Sequence, residues 1–364
     1  MEGVGVNPTF WRGKRVFLTG HTGFKGSWLS LWLQDLGADV TGYALEPPTT
    51  PSLFTDANVA RGMQSIMGDV RDLVSLQLAM QKASPEVVIH MAAQPLVRLS
   101  YADPVTTYST NVMGTVHVLE SVRHCNSVKA VMNVTTDKCY GTRGLAGGFR
   151  EDEPMGGFDP YSNSKGCSEL VSSAYRNSFF PNAAHLEHGV ALATARAGNV
   201  IGGGDWAVDR LIPDMVQAFS RGQPVHIRNP GAIRPWQHVL EPLRGYLTLS
   251  ERLTLQGPEY AEAWNFGPVS EDEKPVDWIV QNLSELWGDG ASWTLDTQPH
   301  PHETHHLRLD ITKTQSRLHW FPSIDLRQAL EKVVQWYQAR LAGADIRELT
   351  LNQIRNYQST LTTC

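Results

Sequence analysis

The first half of the chain alternates short, continuous runs of apolar residues with longer segments in which apolar residues recur at helical spacing. The short runs suit buried strands, and the longer segments suit helices packed against a sheet. Strands are predicted over residues 14–19, 39–45, 87–94, 130–134 and 190–197, and helices over 27–36, 111–125 and 160–180. This alternation predicts an α/β fold built on a parallel sheet.

The first predicted strand runs directly into a turn with glycine at every third position, and a helix follows. The turn spans residues 20–26 and reads G-H-T-G-F-K-G. Glycines in this context let backbone N–H groups approach a pyrophosphate at a helix N-terminus. The turn therefore predicts a dinucleotide site, with a plain glycine-rich turn as the alternative. The cofactor-binding candidates in it are Gly20, Thr22, Gly23, Phe24 and Gly26.

Further cofactor contacts are predicted after the next strands. Glu46 lies about 20 residues beyond the glycine turn, where an acidic side chain bonds the adenine ribose and favours NAD over NADP. Asp69 and Val70 follow a third strand and suit a contact with the adenine, although a helix cap by Asp69 or Asp72 is the alternative. Ala92 and Ala93 end the next strand, where small side chains would let a cofactor lie against the backbone.

A tyrosine and a lysine, Tyr161 and Lys165, lie four residues apart on the predicted helix that begins at Pro160. Residues at this spacing share one face of a helix, with Cβ atoms about 6 Å apart. An ammonium beside a phenol favours the phenolate and lowers the tyrosine pKa. The pair could therefore take a proton from an alcohol while a hydride leaves the same carbon, or it could merely decorate a helix surface.

Three polar residues, Thr136, Asp137 and Lys138, follow the predicted strand 130–134. Ligands bind beyond the carboxyl ends of the strands in open parallel sheets. We therefore expect these side chains to lie in the same site as Tyr161 and Lys165. A polar turn that only closes the strand is the alternative.

The regular alternation of strands and helices fades near Ala197, which predicts a domain boundary between residues 1–196 and 197–364. Two helices are predicted to close the chain, over residues 326–341 and from Ile346 onward. The first carries apolar residues on one face, which predicts that it packs against a core.

Composition narrows the range of functions. With 41% hydrophobic and 19% charged residues the chain is an ordinary globular protein, and its net charge of −6 argues against a nucleic-acid surface. No apolar run approaches the roughly 18 residues of a membrane span, and the start lacks the features of a signal peptide. The cysteines show no paired spacing, which predicts reduced thiols and a cytoplasmic location. They are Cys125, Cys139, Cys167 and Cys364.

Residues 300–306, H-P-H-E-T-H-H, could in principle hold zinc. A proline interrupts any helical spacing, and no His-x-x-x-His pair on a helix is evident. We therefore expect no metal and interpret the segment as a loop at the mouth of the site. His302 and Glu303 are its substrate-binding candidates.

These motifs together resemble the extended short-chain dehydrogenase/reductase superfamily over nearly the whole chain. The triad Thr136-Asp137-Lys138 is similar to the Thr-Asp-Glu triad of nucleotide-sugar 4,6-dehydratases, with lysine in place of glutamate. That replacement, with N-V-I-G-G-G-D-W at residues 199–206 and R-P-W-Q-H-V at residues 234–239, most resembles the dehydratases that act on CDP-glucose.

The resemblance implies a Rossmann-type doubly wound parallel sheet that binds NAD, followed by a smaller C-terminal α/β domain for the nucleotide sugar. It also implies a homodimer or homotetramer, with dimers formed by the helices that follow Asn111 and Tyr161. Asn199 and Arg234 become candidates for binding the substrate, because a guanidinium matches phosphate oxygens. A surface ion pair is the alternative for Arg234.

The resemblance also implies roles for the catalytic residues. Tyr161, with its pKa lowered by Lys165 and by the positive nicotinamide, takes the proton of the sugar 4-hydroxyl, and Thr136 positions that oxygen. Asp137 would be the acid for the leaving 6-hydroxyl. Lys138 stands where the related dehydratases carry the base for carbon 5. It could be that base if neutral, or stay charged beside Asp137 while another group is the base.

Three alternatives to this function remain at the level of the sequence. A 4,6-dehydratase of another nucleotide-hexose would share every motif. A nucleotide-sugar 4-epimerase would share the fold, the cofactor and the Tyr161–Lys165 pair, but needs no acid and base for carbons 5 and 6. A cofactor-binding regulatory protein would not need Thr136, Tyr161 and Lys165 together.

Overall fold

The computed structural model describes residues 5–141, 147–288, 290–296 and 307–361. The strands in these ranges are β1 (Arg15–Thr19), β2 (Asp39–Ala44), β3 (Gln64–Met67), β4 (Val87–His90), β5 (Ala130–Val134), β6 (Ala191–Ala197), β7 (Val200–Ile201), β8 (Val225–Ile227), β9 (Ile233–Pro235), β10 (Gln237–His238), β11 (Ala263–Phe266), β12 (Glu273–Pro275) and β13 (Trp293–Leu295).

The α-helices in the same ranges are α1 (Pro8–Trp11), α2 (Phe24–Asp35), α3 (Leu53–Asp56), α4 (Leu73–Ala83), α5 (Val97–Ala102), α6 (Pro104–Tyr108), α7 (Gly114–Arg123), α8 (Pro160–Ser178), α9 (His185–His188), α10 (Leu211–Phe219), α11 (Leu240–Gln256), α12 (Val276–Trp287), α13 (Thr312–Leu318), α14 (Leu326–Leu341) and α15 (Ile346–Thr360). Short 3₁₀ turns lie at Asp137–Cys139, Asn182–Ala184, Gly257–Tyr260 and Ser270–Asp272, and a π-helical turn lies at Ser109–Met113. None of the helices described here is long and apolar enough to cross a membrane.

Seven parallel strands form the central sheet, in the order β11-β6-β5-β4-β1-β2-β3. The chain winds outward from β1 in both directions, so β1 and β4 flank the point where the strand order reverses. Val16 of β1 lies opposite Val40 of β2 and Val87 of β4. All three are buried, as expected for a parallel sheet covered on both faces. The predicted doubly wound α/β fold is confirmed.

The predicted helix starting at Asn111 is wrong at its N-terminus, because helical structure begins at Pro104. The Asp103 side chain accepts a hydrogen bond from the Thr106 amide, and proline occupies the first turn. Asp and Pro are favoured at these two positions, so the start signal was present in the sequence. Asn111 lies instead in the π-helical turn before α7.

The second half of the chain builds small strand pairs and also returns to the central sheet. The pairs β7–β10 and β8–β13 are parallel, and β9–β12 is antiparallel. Strand β11 adds to the edge of the central sheet beside β6, and α11 packs against β5 and β6. The boundary between residues 1–196 and 197–364 stays a prediction.

Two buried tryptophans from distant parts of the chain meet at Gly203. The Trp28 indole of α2 donates a hydrogen bond of 2.9 Å to the Gly203 carbonyl. On the other side, a Cβ at Gly203 would lie 2.0 Å from Cγ of Trp336 in α14. Because Gly203 has no side chain, α14 can pack closely against the segment that α2 contacts.

We expect Gly203→Ala to lower the free energy of unfolding by at least about 2 kcal/mol, because overpacking a core typically costs ~1–3 kcal/mol. The matched control is Gly231→Ala, where a Cβ meets nothing within 4 Å and the backbone needs no positive φ. Urea unfolding monitored by tryptophan fluorescence measures both. Equal stability of the two variants would contradict this account of the Gly203 contact.

Candidate active site

The glycine turn joins β1 to α2 and packs directly against the end of β4. Gly20 has φ +79°, and a Cβ there would lie 2.7 Å from the Ala92 backbone nitrogen. A Cβ at Gly26 would lie 2.0 Å from the Gly20 carbonyl oxygen. Both positions therefore require glycine. The packing also brings Ala92 beside the turn. The cofactor contacts of Ala92 and Ala93 stay a prediction.

The N-terminus of α2 fits an anionic group. Its N-cap is Gly23, which supplies no capping side chain, so the helix begins at Phe24 without a side-chain acceptor for its first amides. Such amides and the helix dipole favour phosphate groups. The Thr22 hydroxyl donates to the Leu45 carbonyl at 2.8 Å and fixes the turn to the end of β2. These features fit the pyrophosphate of a dinucleotide.

The predicted adenine contacts lie beyond the ends of β2 and β3. The Asp69 carboxylate pairs with the Arg71 guanidinium at 2.6 Å, and this contact lowers the Asp69 pKa. Asp72 caps α4 through the Ser75 amide, so the capping alternative is confirmed for Asp72 and wrong for Asp69. The Val70 side chain, which follows Asp69 in the sequence, is buried.

Glu46 lies two residues beyond the end of β2 and is exposed to solvent. Its contact with an adenine ribose therefore stays a prediction.

Asn111 connects the β4 loop to the helix that carries the tyrosine. Its side chain exchanges two hydrogen bonds with the Gln94 backbone, at 2.8 and 3.0 Å, and donates a third to the Ser164 hydroxyl at 2.9 Å. Ser164 in turn donates to the Tyr161 carbonyl at 2.7 Å. A π-helical turn often marks a functional site, and here it aims the Asn111 amide inward.

Lys165 lies one turn after Tyr161 on α8, as the spacing predicted. Its ammonium donates to the Val134 carbonyl at the end of β5, at 3.0 Å. Burial lowers the Lys165 pKa to about 8, although the nearby Glu169 carboxylate raises it. The lysine therefore carries its charge near neutral pH and lies beside the carboxyl edge of the sheet.

The predicted lowering of the Tyr161 pKa is wrong for the protein alone. Burial, with a smaller contribution from the Asp137 carboxylate, raises this pKa to about 12. A hydrogen bond with Thr136 and the charge of Arg210 act in the opposite direction but do not offset burial. Lowering the Tyr161 pKa therefore requires positive charge beyond that of the side chains around it.

The three residues after β5 form one hydrogen-bonded group. The Thr136 hydroxyl and the Lys138 ammonium both donate to Oδ1 of Asp137, at 3.0 and 3.2 Å. Lys138 also donates to Oδ1 of Asn199 at 3.4 Å. Among the described residues, Oδ2 of Asp137 has no hydrogen-bond partner although it is buried, and a Cβ at Gly198 would lie 3.1 Å from it. An unpaired buried oxygen is costly, so this atom is poised for a ligand.

A buried ion pair positions α8 against the strands. The Glu169 carboxylate pairs with the Arg196 guanidinium of β6 at 2.9 Å and accepts hydrogen bonds from Thr135 and Thr194. Both charged side chains are 4% exposed. The helix carrying Tyr161 is therefore fixed to β5 and β6 by charge-assisted hydrogen bonds.

Two cations near the site were missed by the sequence analysis. Arg210 pairs with Asp205 at 2.9 Å, and its charge acts on Tyr161. Lys25 of the glycine turn donates to the Tyr246 hydroxyl at 2.9 Å. Arg210 comes close to Tyr161 only in the folded chain, so the sequence gave no signal for it. Lys25 could have been identified from the sequence, because it lies within the predicted cofactor turn.

Arg234 lies in β9 and is 7% exposed, so it does not lie at the surface as its alternative role requires. Asn199, by contrast, contacts Lys138 within the site. His302 and Glu303 lie outside the described residues. Their substrate-binding role and the expectation of no metal in residues 300–306 stay predictions.

Comparison with known proteins identifies the family. The model of a family described as GDP-mannose 4,6 dehydratase matches residues 17–333. A CDP-glucose 4,6-dehydratase of Salmonella typhimurium is 56% identical over 98% of this chain and 99% of its own length. A dTDP-glucose 4,6-dehydratase of Streptomyces griseus is 27% identical over 88% of this chain and 93% of its own.

Solved structures share the fold. A dTDP-glucose 4,6-dehydratase of Bacillus anthracis in complex with NAD has a TM-score of 0.72 at 22% identity, covering 92% of this chain and 99% of its own. MoeE5 in complex with UDP-glucose and NAD has a TM-score of 0.75 at 24% identity, covering 90% and 99%. The predicted resemblance to nucleotide-sugar 4,6-dehydratases is confirmed, and the chain belongs to the GDP-mannose 4,6 dehydratase family.

Proposed function

We propose that this protein is an NAD-dependent CDP-D-glucose 4,6-dehydratase, which converts CDP-D-glucose to CDP-4-keto-6-deoxy-D-glucose and water. The relative that is 56% identical over almost the whole chain supports the substrate. The main structural support for this reaction is the ion pair of Asp137 and Lys138 beside Tyr161. In this pair Oδ2 of Asp137 is buried and has no hydrogen-bond partner among the described residues. A 4-epimerase has no use for this acid and base, so the pair favours a dehydratase.

The glycine turn and the two alanines after β4 fit NAD as the cofactor. Gly20 and Gly26 allow the close backbone packing of the turn, Gly23 leaves the first amides of α2 without a capping side chain, and Ala92 lies beside the turn. When bound, NAD accepts a hydride from carbon 4 of the sugar and returns it to carbon 6. The protein's own residues must bind the cofactor, orient the sugar and move protons.

Oxidation at carbon 4 is assigned to Tyr161, Thr136 and Lys165. Tyr161 removes the proton of the 4-hydroxyl, and Thr136, which interacts with Tyr161, orients that oxygen. Because burial raises the Tyr161 pKa to about 12, the phenolate must be stabilised by further positive charge in the assembled site. A bound oxidised nicotinamide would supply this charge, in addition to the charge of Lys165.

Elimination of water is assigned to Asp137 and Lys138, which share one proton. Transfer of a proton from Lys138 to Asp137 along their 3.2 Å contact turns the ion pair into a neutral acid and a neutral amine. A dry site favours the neutral pair, because it removes two charges from a low dielectric. One transfer thus produces both the acid for the 6-hydroxyl and the base for carbon 5.

The protons balance in this scheme. Lys138 takes the carbon 5 proton and later returns one to the same carbon, while Asp137 loses its proton to the departing water. The proton that Tyr161 took from the 4-hydroxyl replaces the one lost from Asp137. The two roles of Lys138 that seemed to conflict, charged partner and neutral base, are then two states of one pair.

Arg234 and Asn199 are proposed to hold the substrate. Arg234 is buried on β9, where its guanidinium suits the diphosphate. Asn199 already contacts Lys138, so it would connect the sugar to the elimination pair.

We also propose that the protein is a homodimer located in the cytoplasm. Five exposed apolar side chains lie on α5, α6 and the π-helical turn, next to α8, and patches of this kind mark contact surfaces. They are Leu99, Tyr101, Val105, Tyr108 and Met113. The free thiols of Cys125, Cys139 and Cys167 suit a reducing compartment.

The proposed reaction predicts the isotopic content of the product. Purified protein with NAD+ and CDP-glucose in heavy water should yield a nucleotide sugar that has lost one water and gained one solvent deuterium at carbon 5. Mass spectrometry and proton NMR of the product measure both. An unchanged mass with inverted carbon 4 would make the protein an epimerase, and turnover of only another nucleotide-hexose would exclude CDP-glucose as substrate.

Variants of Lys138 test the shared-proton pair. Lys138→Ala should lower the rate of water loss roughly 100-fold or more, because general acid–base groups contribute about 10²–10⁴ to a rate. Lys138→Glu supplies another base and should recover part of that loss, while both variants still oxidise carbon 4 and reduce the cofactor. The rate of product formation in rapid-quench experiments measures the step. Normal elimination in the alanine variant would exclude Lys138 as the base.

A charge placed in the exposed apolar patch should break the dimer. Val105 is 77% exposed, so Val105→Glu changes no buried contact of the single chain. Sedimentation velocity should show a dimer for the unaltered protein and a monomer for this variant. The matched control is Leu186→Glu on α9, which is outside the patch, because the Leu186 side chain is fully exposed. A dimer that survives Val105→Glu would place the interface elsewhere.

A further inference from the structure

An open cavity of about 800 Å³ lies beside α8, outside the proposed active site. Its walls are formed by α8, β6, β11, α13 and residues 150–155. The described residues that line it include none of those assigned to the reaction, the cofactor or the substrate. A cavity of this volume is large enough for a small metabolite. It is therefore a candidate for a second ligand site.

Arg176, on α8, is a cation in the wall of this cavity. Its Nε donates to the Leu192 carbonyl at 2.9 Å, and among the described residues its guanidinium makes no other hydrogen bond and no salt bridge. Burial and, to a smaller extent, the charge of Arg196 lower the Arg176 pKa, against the opposing effect of Glu169. A half-buried guanidinium of this kind lacks the carboxylate or phosphate partner that its geometry favours.

Arg196, on β6, is a second guanidinium in the cavity wall, close enough for its charge to act on Arg176. Its terminal nitrogens donate to the Glu169 carboxylate at 2.9 Å, the Tyr140 hydroxyl at 2.7 Å and the Glu151 carbonyl at 3.1 Å. Its Nε is buried and has no hydrogen-bond partner among the described residues. Two guanidinium groups that repel each other and retain free donors favour an anion with several oxygens, such as a phosphate group.

The cavity wall also carries carboxylates with free acceptor sites. Among the described residues, the carboxylates of Glu151 and Asp310 each accept through one oxygen only, from the Asn265 amide at 2.9 Å and the Thr312 amide at 2.8 Å. The remaining lone pairs suit hydroxyl donors. A ligand made only of phosphate would leave these acceptors unused and would meet their negative charge. The carboxylates therefore favour a ligand that also carries hydroxyl groups.

We propose that this cavity binds a sugar phosphate, with the phosphate group held by Arg176 and Arg196 and the hydroxyl groups donating to Glu151 and Asp310. The phosphate relieves the repulsion between the two guanidinium groups, and the hydroxyl groups use the free carboxylate oxygens. The site goes beyond the proposed function, because it shares no residue with the proposed reaction.

Calorimetric titration of the full chain with glucose 6-phosphate, inorganic phosphate and glucose tests this site. NAD+ and CDP are present at saturating concentrations, so that the proposed active site is occupied. Glucose 6-phosphate should bind at least about 10-fold more tightly than inorganic phosphate, because one hydrogen bond contributes roughly 5-fold in affinity and the sugar supplies more than one. Glucose, which has no anionic group for the two arginines, should not bind measurably.

Two variants separate the two halves of the site. Arg176→Gln should weaken glucose 6-phosphate and inorganic phosphate alike, by roughly 10-fold or more, because charge-assisted hydrogen bonds are lost. Glu151→Gln should leave inorganic phosphate bound at least as tightly but reduce the advantage of the sugar phosphate roughly 5-fold, because the new amide nitrogen cannot accept from a hydroxyl. Circular dichroism verifies that each variant is folded.

Two further variants are controls. Arg221→Gln removes an exposed cation after α10, outside the cavity, and should bind glucose 6-phosphate as the unaltered protein does. Arg234→Gln removes a cation of the proposed substrate site and should also leave this binding unchanged.

Several results would overturn the proposal. If glucose 6-phosphate does not bind at millimolar concentrations, or binds no more tightly than inorganic phosphate, the cavity holds an adventitious ion only. If binding survives Arg176→Gln, or is lost in Arg234→Gln, the ligand lies elsewhere. Failure of CDP-glucose turnover, in contrast, would leave these binding results intact and would count only against the proposed reaction.

Discussion

The buried pair of Glu169 and Arg196 is the interaction on which the site depends. It ties α8 to β6, and the hydrogen bonds from Thr135 and Thr194 extend the tie to β5. Removing one partner of a buried pair typically costs about 3–5 kcal/mol, because the remaining charge is left unsolvated. The distance from the helix with the tyrosine to the strand ends with the acid and base is therefore rigidly fixed.

Burial also shifts the pKa values of the side chains in the site, and these shifts determine which proton transfers are possible. A closed site raises the Tyr161 pKa, which makes the phenol a poor base in the protein alone. The same burial lowers the pKa values of Lys165 and Lys25 toward neutrality. In the proposed mechanism, a phenolate therefore forms only when cofactor and substrate complete the site. This requirement protects the protein from deprotonating Tyr161 without a hydride acceptor in place.

Sequence patterns predicted the sheet, the glycine turn and the helix with Tyr161 and Lys165, because these depend on local spacing. They missed the start of α6, although Asp103-Pro104 was visible, and they misjudged the Tyr161 pKa. The spacing of Tyr161 and Lys165 shows that a positive charge lies near the phenol. The burial that raises the phenol pKa depends on elements distant in sequence, which the spacing does not show. Arg210 was missed for the same reason, since only folding brings it from the segment before α10.

Lys138 changes the charge balance of the proposed site. A glutamate in place of Lys138 would give the elimination pair one net negative charge, whereas Asp137 with Lys138 is neutral overall. The oxidised ring of a bound cofactor would therefore meet the charges of Lys165 and Arg210 without a compensating carboxylate at position 138.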